Sequence, residues 1–193
     1  MKIITGSKKG IWLDAPKGET TRPTSQRVKE AVFSALQFEI EDACVLDAFA
    51  GSGQLSLEAL SRGAKKAVLT ECDSNALKVI HSNIKKTGFE KLCTVLSGDI
   101  LKNASRISSF APYDIVFLDP PYKSDLYEKT LRMLIEGDML SDDAKIVCEA
   151  SDKMIFPDIF EKFSKKEYRH GNTTVVIFRN MMEETDENSN LSR

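Results

Sequence analysis

The sequence predicts an α/β protein built on a doubly wound, mostly parallel seven-stranded sheet with an antiparallel last strand. Two observations carry that expectation. From residue 43 onward, short apolar runs alternate with helical stripes, the pattern of strands buried on both faces by crossover helices. Near the end, residues 168–170 and 173–178 flank the turn pair Gly171-Asn172, which reverses the final strand into a hairpin.

The elements follow in order. Residues 2–5 and 11–14 flank the turn-prone Gly6-Ser7-Lys8-Lys9-Gly10 and are expected to form a small N-terminal hairpin or a pair of short extended pieces. Thr24 or Ser25 caps a helix whose apolar positions 28, 32 and 35/36 share one face. Strands are predicted over 43–49, 66–71, 92–96, 113–118, 145–149, 168–170 and 173–179, and helices over 55–60, 76–87 and 126–134. Gly63 and Gly88 end the first two of these helices.

A chain of 193 residues fits one domain, on a scale of about 100–200 residues each. Residues 1–180 are read as that domain, with 1–20 as the hairpin extension and 181–193 as an acidic, disordered tail. A hydrophobic fraction of 41% with 29% charged residues is that of a soluble globular chain. No apolar run reaches the roughly 20 residues of a membrane helix, and the start turns polar too soon for a signal peptide. Cys44, Cys72, Cys93 and Cys148 form no Cys-x-x-Cys pair and are expected to be small buried thiols of a reducing cytoplasm. His81 and His170 are expected to be surface or structural groups, so no metal site is predicted. Residues 1–30 carry Lys2, Lys8, Lys9, Lys17, Arg22, Arg27 and Lys29 against Asp14, Glu19 and Glu30. That excess suits a polyanion contact, or else a solvated edge.

An open sheet of this kind binds its ligand beyond the carboxyl ends of the strands, and each candidate motif lies at such an end. The first strand runs into Asp47-Ala48-Phe49-Ala50-Gly51-Ser52-Gly53, where Gly51 and Gly53 let the backbone approach a ligand. A dinucleotide fingerprint would place glycine where Ser56 stands, and the carboxylate of Asp47 suits a cationic ligand better than a pyrophosphate. Glu71, at the second strand end, can accept both hydroxyls of a ribose. Asp99 can accept from an adenine amine while Ile100 packs on the ring. Acids at three successive strand ends behind a glycine turn fit S-adenosylmethionine, which offers an ammonium, a ribose diol and an adenine.

The fourth strand ends in Asp119-Pro120-Pro121-Tyr122. The prolines fix the backbone and leave carbonyls without competing amide donors. Asp119 and a proline carbonyl can then accept from an exocyclic amine, and Tyr122 offers a face on which a base stacks.

On these residues the chain resembles the RsmD-type methyltransferases of bacteria. The likeness rests on Asp47–Gly53, Asp119–Tyr122, Arg22-Pro23-Thr24, Arg27-Val28-Lys29-Glu30, the opening Ile3-Ile4-x-Gly6 and the phrase at 57–63, and covers residues 1 to about 180. The resemblance implies a class I, Rossmann-like methyltransferase fold with S-adenosylmethionine as cofactor. It implies methyl transfer to the N2 amine of guanine 966 in 16S rRNA, with that RNA or the small ribosomal subunit as partner. The Asp-Pro-Pro-Tyr loop would hold the target amine. The chain departs from the family pattern at Gln26, where an acid is usual, at Ser56, where glycine is usual, and at Lys8-Lys9-Gly10-Ile11-Trp12, where the family start is arginine-rich.

Asp119, with an ordinary carboxyl value of about 3.9, is expected to be ionised and to take the departing proton. Lys8, Lys9, Arg22 and Arg27 are candidates for holding phosphates; alternatively Arg22, Thr24 and Arg27 close over the cofactor. A monomer acting in the cytoplasm without membrane or metal is expected. The loop alone also admits transfer-RNA guanine, DNA adenine or protein glutamine as acceptor. A non-catalytic ribosome-assembly factor is the reading from another class.

Overall fold

The computed structural model describes residues 1–16, 26–120, 125–151, 156–170 and 173–180. Seven strands form one sheet: β1 Cys44–Asp47, β2 Lys66–Glu71, β3 Cys93–Ser97, β4 Tyr113–Leu118, β5 Leu140–Ser151, β6 Phe163–His170 and β7 Thr173–Asn180. Their order is β3-β2-β1-β4-β5-β7-β6. β1 to β5 run parallel, while β7 lies between β5 and β6 and is antiparallel to both. The strand order reverses between β1 and β4, which opens a crevice at their carboxyl ends.

Alternation along the strands divides the apolar side chains between two cores. Val45, Leu69, Ile115 and Phe117 face one core with Val28, Phe33, Leu57 and Ile80. Leu46, Val68, Val116 and Leu118 face the other with Ile107, Leu131, Phe160 and Phe178. The helices are α1 Gln26–Ala35, α2 Gln54–Ser61, α3 Ser74–Thr87, α4 Ala104–Ser108 and α5 Leu126–Glu136. The predicted face of α1 is the buried one, through Val28 and Val32; its expected caps, Thr24 and Ser25, lie outside the described residues. α3 opens on Asp73, whose carboxylate accepts from the amides of Asn75 and Ala76 at 3.0 and 2.7 Å.

The expected hairpin is present. Ile3 and Ile11, and Lys2 and Trp12, pair across it. Glu58, fully buried on α2, fastens it: one oxygen accepts from Ile4 N at 2.8 Å and the other from Thr5 N at 3.0 Å. The same carboxylate meets Lys29 Nζ at 3.2 Å and Arg62 Nε at 2.9 Å. Gly6 has φ +85°, and a Cβ there would stand 1.7 Å from the Ser61 carbonyl oxygen, so only glycine lets the turn lie against α2.

Several expectations change. Lys29 does not belong to the basic surface, because it is 2% exposed and locked between Glu58 and the Lys2 carbonyl. Burial pulls its ammonium below the ordinary value, and Glu58 partly offsets this. Cys148 is buried, but Cys44 and Cys93 are half-buried and Cys72 is exposed, since Cys148 lies inside the buried run 144–148 of β5, whereas Cys44 and Cys93 open their strands and Cys72 follows the end of β2. β5 starts five residues before its predicted position because its polar opening, Ser141-Asp142-Asp143, hides the pairing of Leu140 with Tyr113. The helical turns over 101–108 have too short an apolar stripe to be read. The 181–193 tail lies outside the described residues. No helix among the described residues is long and apolar enough to cross a membrane.

Candidate functional site

The crevice between β1 and β4 is built from the turn that follows β1. Ala48 N donates to Phe117 O at 2.9 Å and Ala50 N to Thr70 O at 2.9 Å, so both neighbouring strands brace it. The Thr70 hydroxyl donates to the Ala48 carbonyl. Gly51 and Gly53 both take positive φ, +54° and +75°. A Cβ at Gly51 would meet nothing within 4 Å; the backbone there faces open space, where a ligand can approach it.

Asp47 ends β1 and is 3% exposed. Its Oδ2 accepts from the Ser56 hydroxyl at 2.9 Å, which gives Ser56 a use that glycine could not serve. Burial pushes the Asp47 carboxyl up to about 7 against the lowering effect of Ser56, with Glu71 adding to the rise. Asp119 follows β4, two residues beyond Phe117, the register partner of Asp47. It too is pushed to about 7, first by burial and then by the charges of Glu149 and Asp47. This corrects the expectation of an ordinary carboxyl on Asp119: burial, and the like charges of Glu149 and Asp47 on the neighbouring strands, disfavour its ionised form. Asp119 and Glu149 also border a small cavity of about 20 Å³ lined by Val28, Val32 and Phe117, which accounts for the desolvation.

Glu71 is already engaged with backbone. Its Oε2 accepts from Gly51 N at 2.8 Å, and its Oε1 from Cys72 N and Asp73 N, both at 2.8 Å. It therefore ties the glycine turn to β2, and each oxygen retains limited capacity for a further donor. Asp99 is exposed and uses Oδ1 to cap the turn after β3, accepting from Leu101 N and Lys102 N at 2.9 and 3.1 Å. Ile100 is 3% exposed and belongs to the second core. Phe49 is half-buried and packs against that same core.

The structure thus brings Asp47, Phe49, Gly51, Gly53, Glu71, Asp99 and Asp119 to one end of the sheet, with Pro120 buried beside Asp119. Pro121, Tyr122, Arg22 and Thr24 lie outside the described residues. Lys8 and Lys9 do not reach this end. The Lys8 amide donates to Ser61 Oγ, at the end of α2, and its ammonium lies 5.7 Å from the Phe89 ring, just beyond α3. Arg27 is exposed on α1. Among the described residues no cluster fit to hold a metal is present.

Sequence reasoning missed three residues of the site. Glu149 closes the apolar run 145–149, and the logic used for the other strand ends would have found it. Asn83 holds the site from outside: its Nδ2 donates to Ser52 O at 2.9 Å and Asp14 O at 3.1 Å. An asparagine within an amphipathic helix gives no such signal. Ser56 showed itself only as a departure from a glycine pattern.

The sequence model of the family described as Conserved hypothetical protein 95 matches residues 1–179. Ribosomal RNA small subunit methyltransferase D of Escherichia coli K12 is 38% identical over 155 residues, covering 78% of this chain and 74% of that one. The Haemophilus influenzae protein of the same name is 35% identical over 186 residues, covering 93% and 92%. Among solved structures, an Escherichia coli chain described as the methyltransferase yhhF superposes with a TM-score of 0.83 at 33% identity, covering 94% of this chain and 98% of that one. A Salinibacter ruber RNA methyltransferase in complex with S-adenosyl-L-homocysteine shares the fold, with a TM-score of 0.63 at 19% identity, covering 83% and 95%. The architecture is the Rossmann-like class I methyltransferase fold, as the sequence predicted.

Proposed function

The chain belongs to the Conserved hypothetical protein 95 family, the RsmD-type methyltransferases, and from that premise we propose that it methylates the exocyclic N2 amine of a guanine in 16S rRNA. S-adenosylmethionine is the cofactor, and residues 1–180 act as one catalytic unit with the hairpin as its extension. The observation that supports this reading is the placement of two carboxyls at the switch in strand order, Asp47 at the end of β1 and Asp119 two residues beyond its register partner Phe117.

The residues fit that cofactor. Asp47, Glu71, Asp99, Asp119 and Glu149 at the strand ends make a field that repels phosphate and attracts cations. S-adenosylmethionine, when bound, supplies a methyl group already activated by a sulfonium. Asp47 and the open backbone at Gly51 hold its cationic part, Glu71 and Asp99 its polar groups, and Phe49 its apolar body. Ile100, buried as it is, contributes through the wall that Asp99 stands on.

The guanine amine is a poor nucleophile because its lone pair is delocalised into the ring. Asp119 and the Pro120 carbonyl accept hydrogen bonds from it, which favours a pyramidal nitrogen and stabilises the positive charge that grows there. A carboxyl near 7 matches the task of taking the proton that the methylated amine loses. From the sequence, Pro121 and Tyr122 are assigned to the same amine-holding loop, the tyrosine as a stacking face for a base that must be unpaired or extruded to enter. Holding nitrogen and methyl in line contributes the remainder as an entropy trap. Arg22, Thr24 and Arg27 are assigned to RNA phosphates or to closure over the cofactor.

The test supplies labelled cofactor with 30S particles, naked 16S RNA, DNA and protein. Label on a guanine N2 of 16S RNA, mapped by mass to guanine 966, is the expected outcome. Asp119→Ala should abolish transfer and keep cofactor binding; turnover retained in that variant refutes the role.

A further inference from the structure

The hairpin carries a feature that the methyl-transfer reading does not use. Trp12, the only tryptophan of the chain, is 69% exposed. Its neighbours Ile11 and Leu13 turn inward, Leu13 into the first core and Ile11 against it. Strand alternation therefore presents Trp12 outward. The Lys2 ammonium lies 5.8 Å from its ring centroid, close enough for a cation to attract the ring face and to leave positive charge beside it.

The backbone beneath the ring is rigid. Lys2 and Trp12 form a bridge, Leu13 N donates to Met1 O at 2.8 Å, and the buried Lys29 ammonium donates to Lys2 O at 2.7 Å. Its position is also set. Two residues on, Asp14 N donates to Asn83 Oδ1 at 2.8 Å, and Asn83 also holds Ser52 in the glycine turn. Extended chain advances about 3.3 Å per residue, so Trp12 stands roughly 7 Å of backbone from that anchor. Lys8 and Lys9, by contrast, sit at the closed end of the hairpin against Ser61. Phe38, the other strongly exposed apolar ring among the described residues at 91%, is followed by Glu39, Glu41 and Asp42, which repel a polyanion.

We propose that Trp12, with Lys2 against its ring, is a stacking platform for an unpaired base of the RNA strand that enters the site. The inference rests on the RNA reading above. A π-face on a fixed backbone with a cation beside it is the arrangement that binds single-stranded nucleic acid irrespective of base identity. A protein partner would be expected to need a wider apolar patch than one isolated ring.

Because Trp12 is the sole tryptophan, its emission reports on the contact directly. An unpaired oligoribonucleotide and the matching duplex are titrated into the full chain, reading tryptophan emission and, in parallel, the anisotropy of a labelled RNA. Quenching by the single strand that saturates at the dissociation constant found by anisotropy supports stacking. Trp12→Ala and Trp12→Leu should each weaken binding about tenfold, and Trp12→Phe by less than about threefold. The ring lies outside both cores, so these variants keep the fold. Binding without quenching, unchanged affinity in Trp12→Ala, or Trp12→Leu equal to Trp12→Phe overturns the platform. In those cases methyl transfer to 16S RNA by the unaltered chain would leave the proposed function standing; loss of all RNA binding, with no RNA methylated, overturns both.

Discussion

Replacing Asp119 by asparagine should make the protein more heat-stable above neutral pH while removing its activity, and the gain should grow with pH. Asp119 is raised from 3.8 to about 7 in the folded chain. Its folded-state value lies above the unfolded one, so protonation favours the folded state. The stability tied to this group is full below pH of about 4, falls as pH rises towards 7, and is lost beyond it. A shift of about three pKa units corresponds to about 4 kcal/mol at pH 8. Asparagine removes the charge but leaves a partly buried amide, which costs about 1–3 kcal/mol. The net gain is then about 1–3 kcal/mol at pH 8, changes sign between pH 4 and 7, and becomes a loss of about 1–3 kcal/mol near pH 4, where only the amide cost remains. For a chain of this size each kcal/mol moves Tm by about 2–4 °C, so Asp119→Asn should melt several degrees above the unaltered chain at pH 8. Differential scanning fluorimetry from pH 4 to 8 reads this directly. A pH-independent difference between the two proteins, or a lower Tm for the variant at pH 8, refutes the claim that burying Asp119 beside Glu149 and Asp47 strains the crevice.

Three further outcomes are expected. Ser56→Ala removes the hydrogen bond that holds the Asp47 value down, so calorimetry should find S-adenosylhomocysteine binding several-fold weaker at pH 7, the gap closing by pH 9 as Asp47 ionises in both proteins. Glu58→Gln leaves Lys29 buried without its counter-charge and should cost about 3–5 kcal/mol in urea unfolding; a loss under about 1 kcal/mol would show that the hairpin does not depend on this carboxylate. Lys2→Gln should reduce the slope of log K against log salt for single-stranded RNA by about 0.7, and by more than Lys8→Gln does; equal slopes would place phosphate along the whole hairpin.

The strands and helices were legible because burial on both faces leaves a run of apolar residues that few other structures produce. Tyr113–Leu118 and Lys66–Glu71 are read to the residue. What escaped was whatever depends on partners distant in sequence. The pairing of Tyr113 with Leu140 sets the start of β5, and nothing in Leu140-Ser141-Asp142 announces a strand. Lys29 reads as one more surface base until Glu58 is seen beneath it. In the crevice the positions of Asp47, Glu71 and Asp119 followed from strand ends alone. The raised values of Asp47 and Asp119 did not, because they depend first on burial and then on charges brought in from neighbouring strands.

That dependence links stability to ligand choice. A crevice that holds two acids made hard to ionise by burial, Asp47 and Asp119, is strained at high pH, and a cation placed beside either relieves the strain by favouring its charged form. The relief is itself binding free energy, and phosphate-bearing ligands cannot draw on it. Selectivity for a sulfonium-bearing cofactor over a dinucleotide therefore needs no dedicated rejecting group here. The neutral product S-adenosylhomocysteine keeps the ammonium but loses the sulfonium charge, so its hold on Asp47 should weaken with the same transfer that discharges the methyl. Protection from heat by the two ligands at equal occupancy, compared at pH 8 and again at pH 5, separates this electrostatic preference from shape: the difference between them should shrink at pH 5, where both carboxyls are protonated in the empty protein.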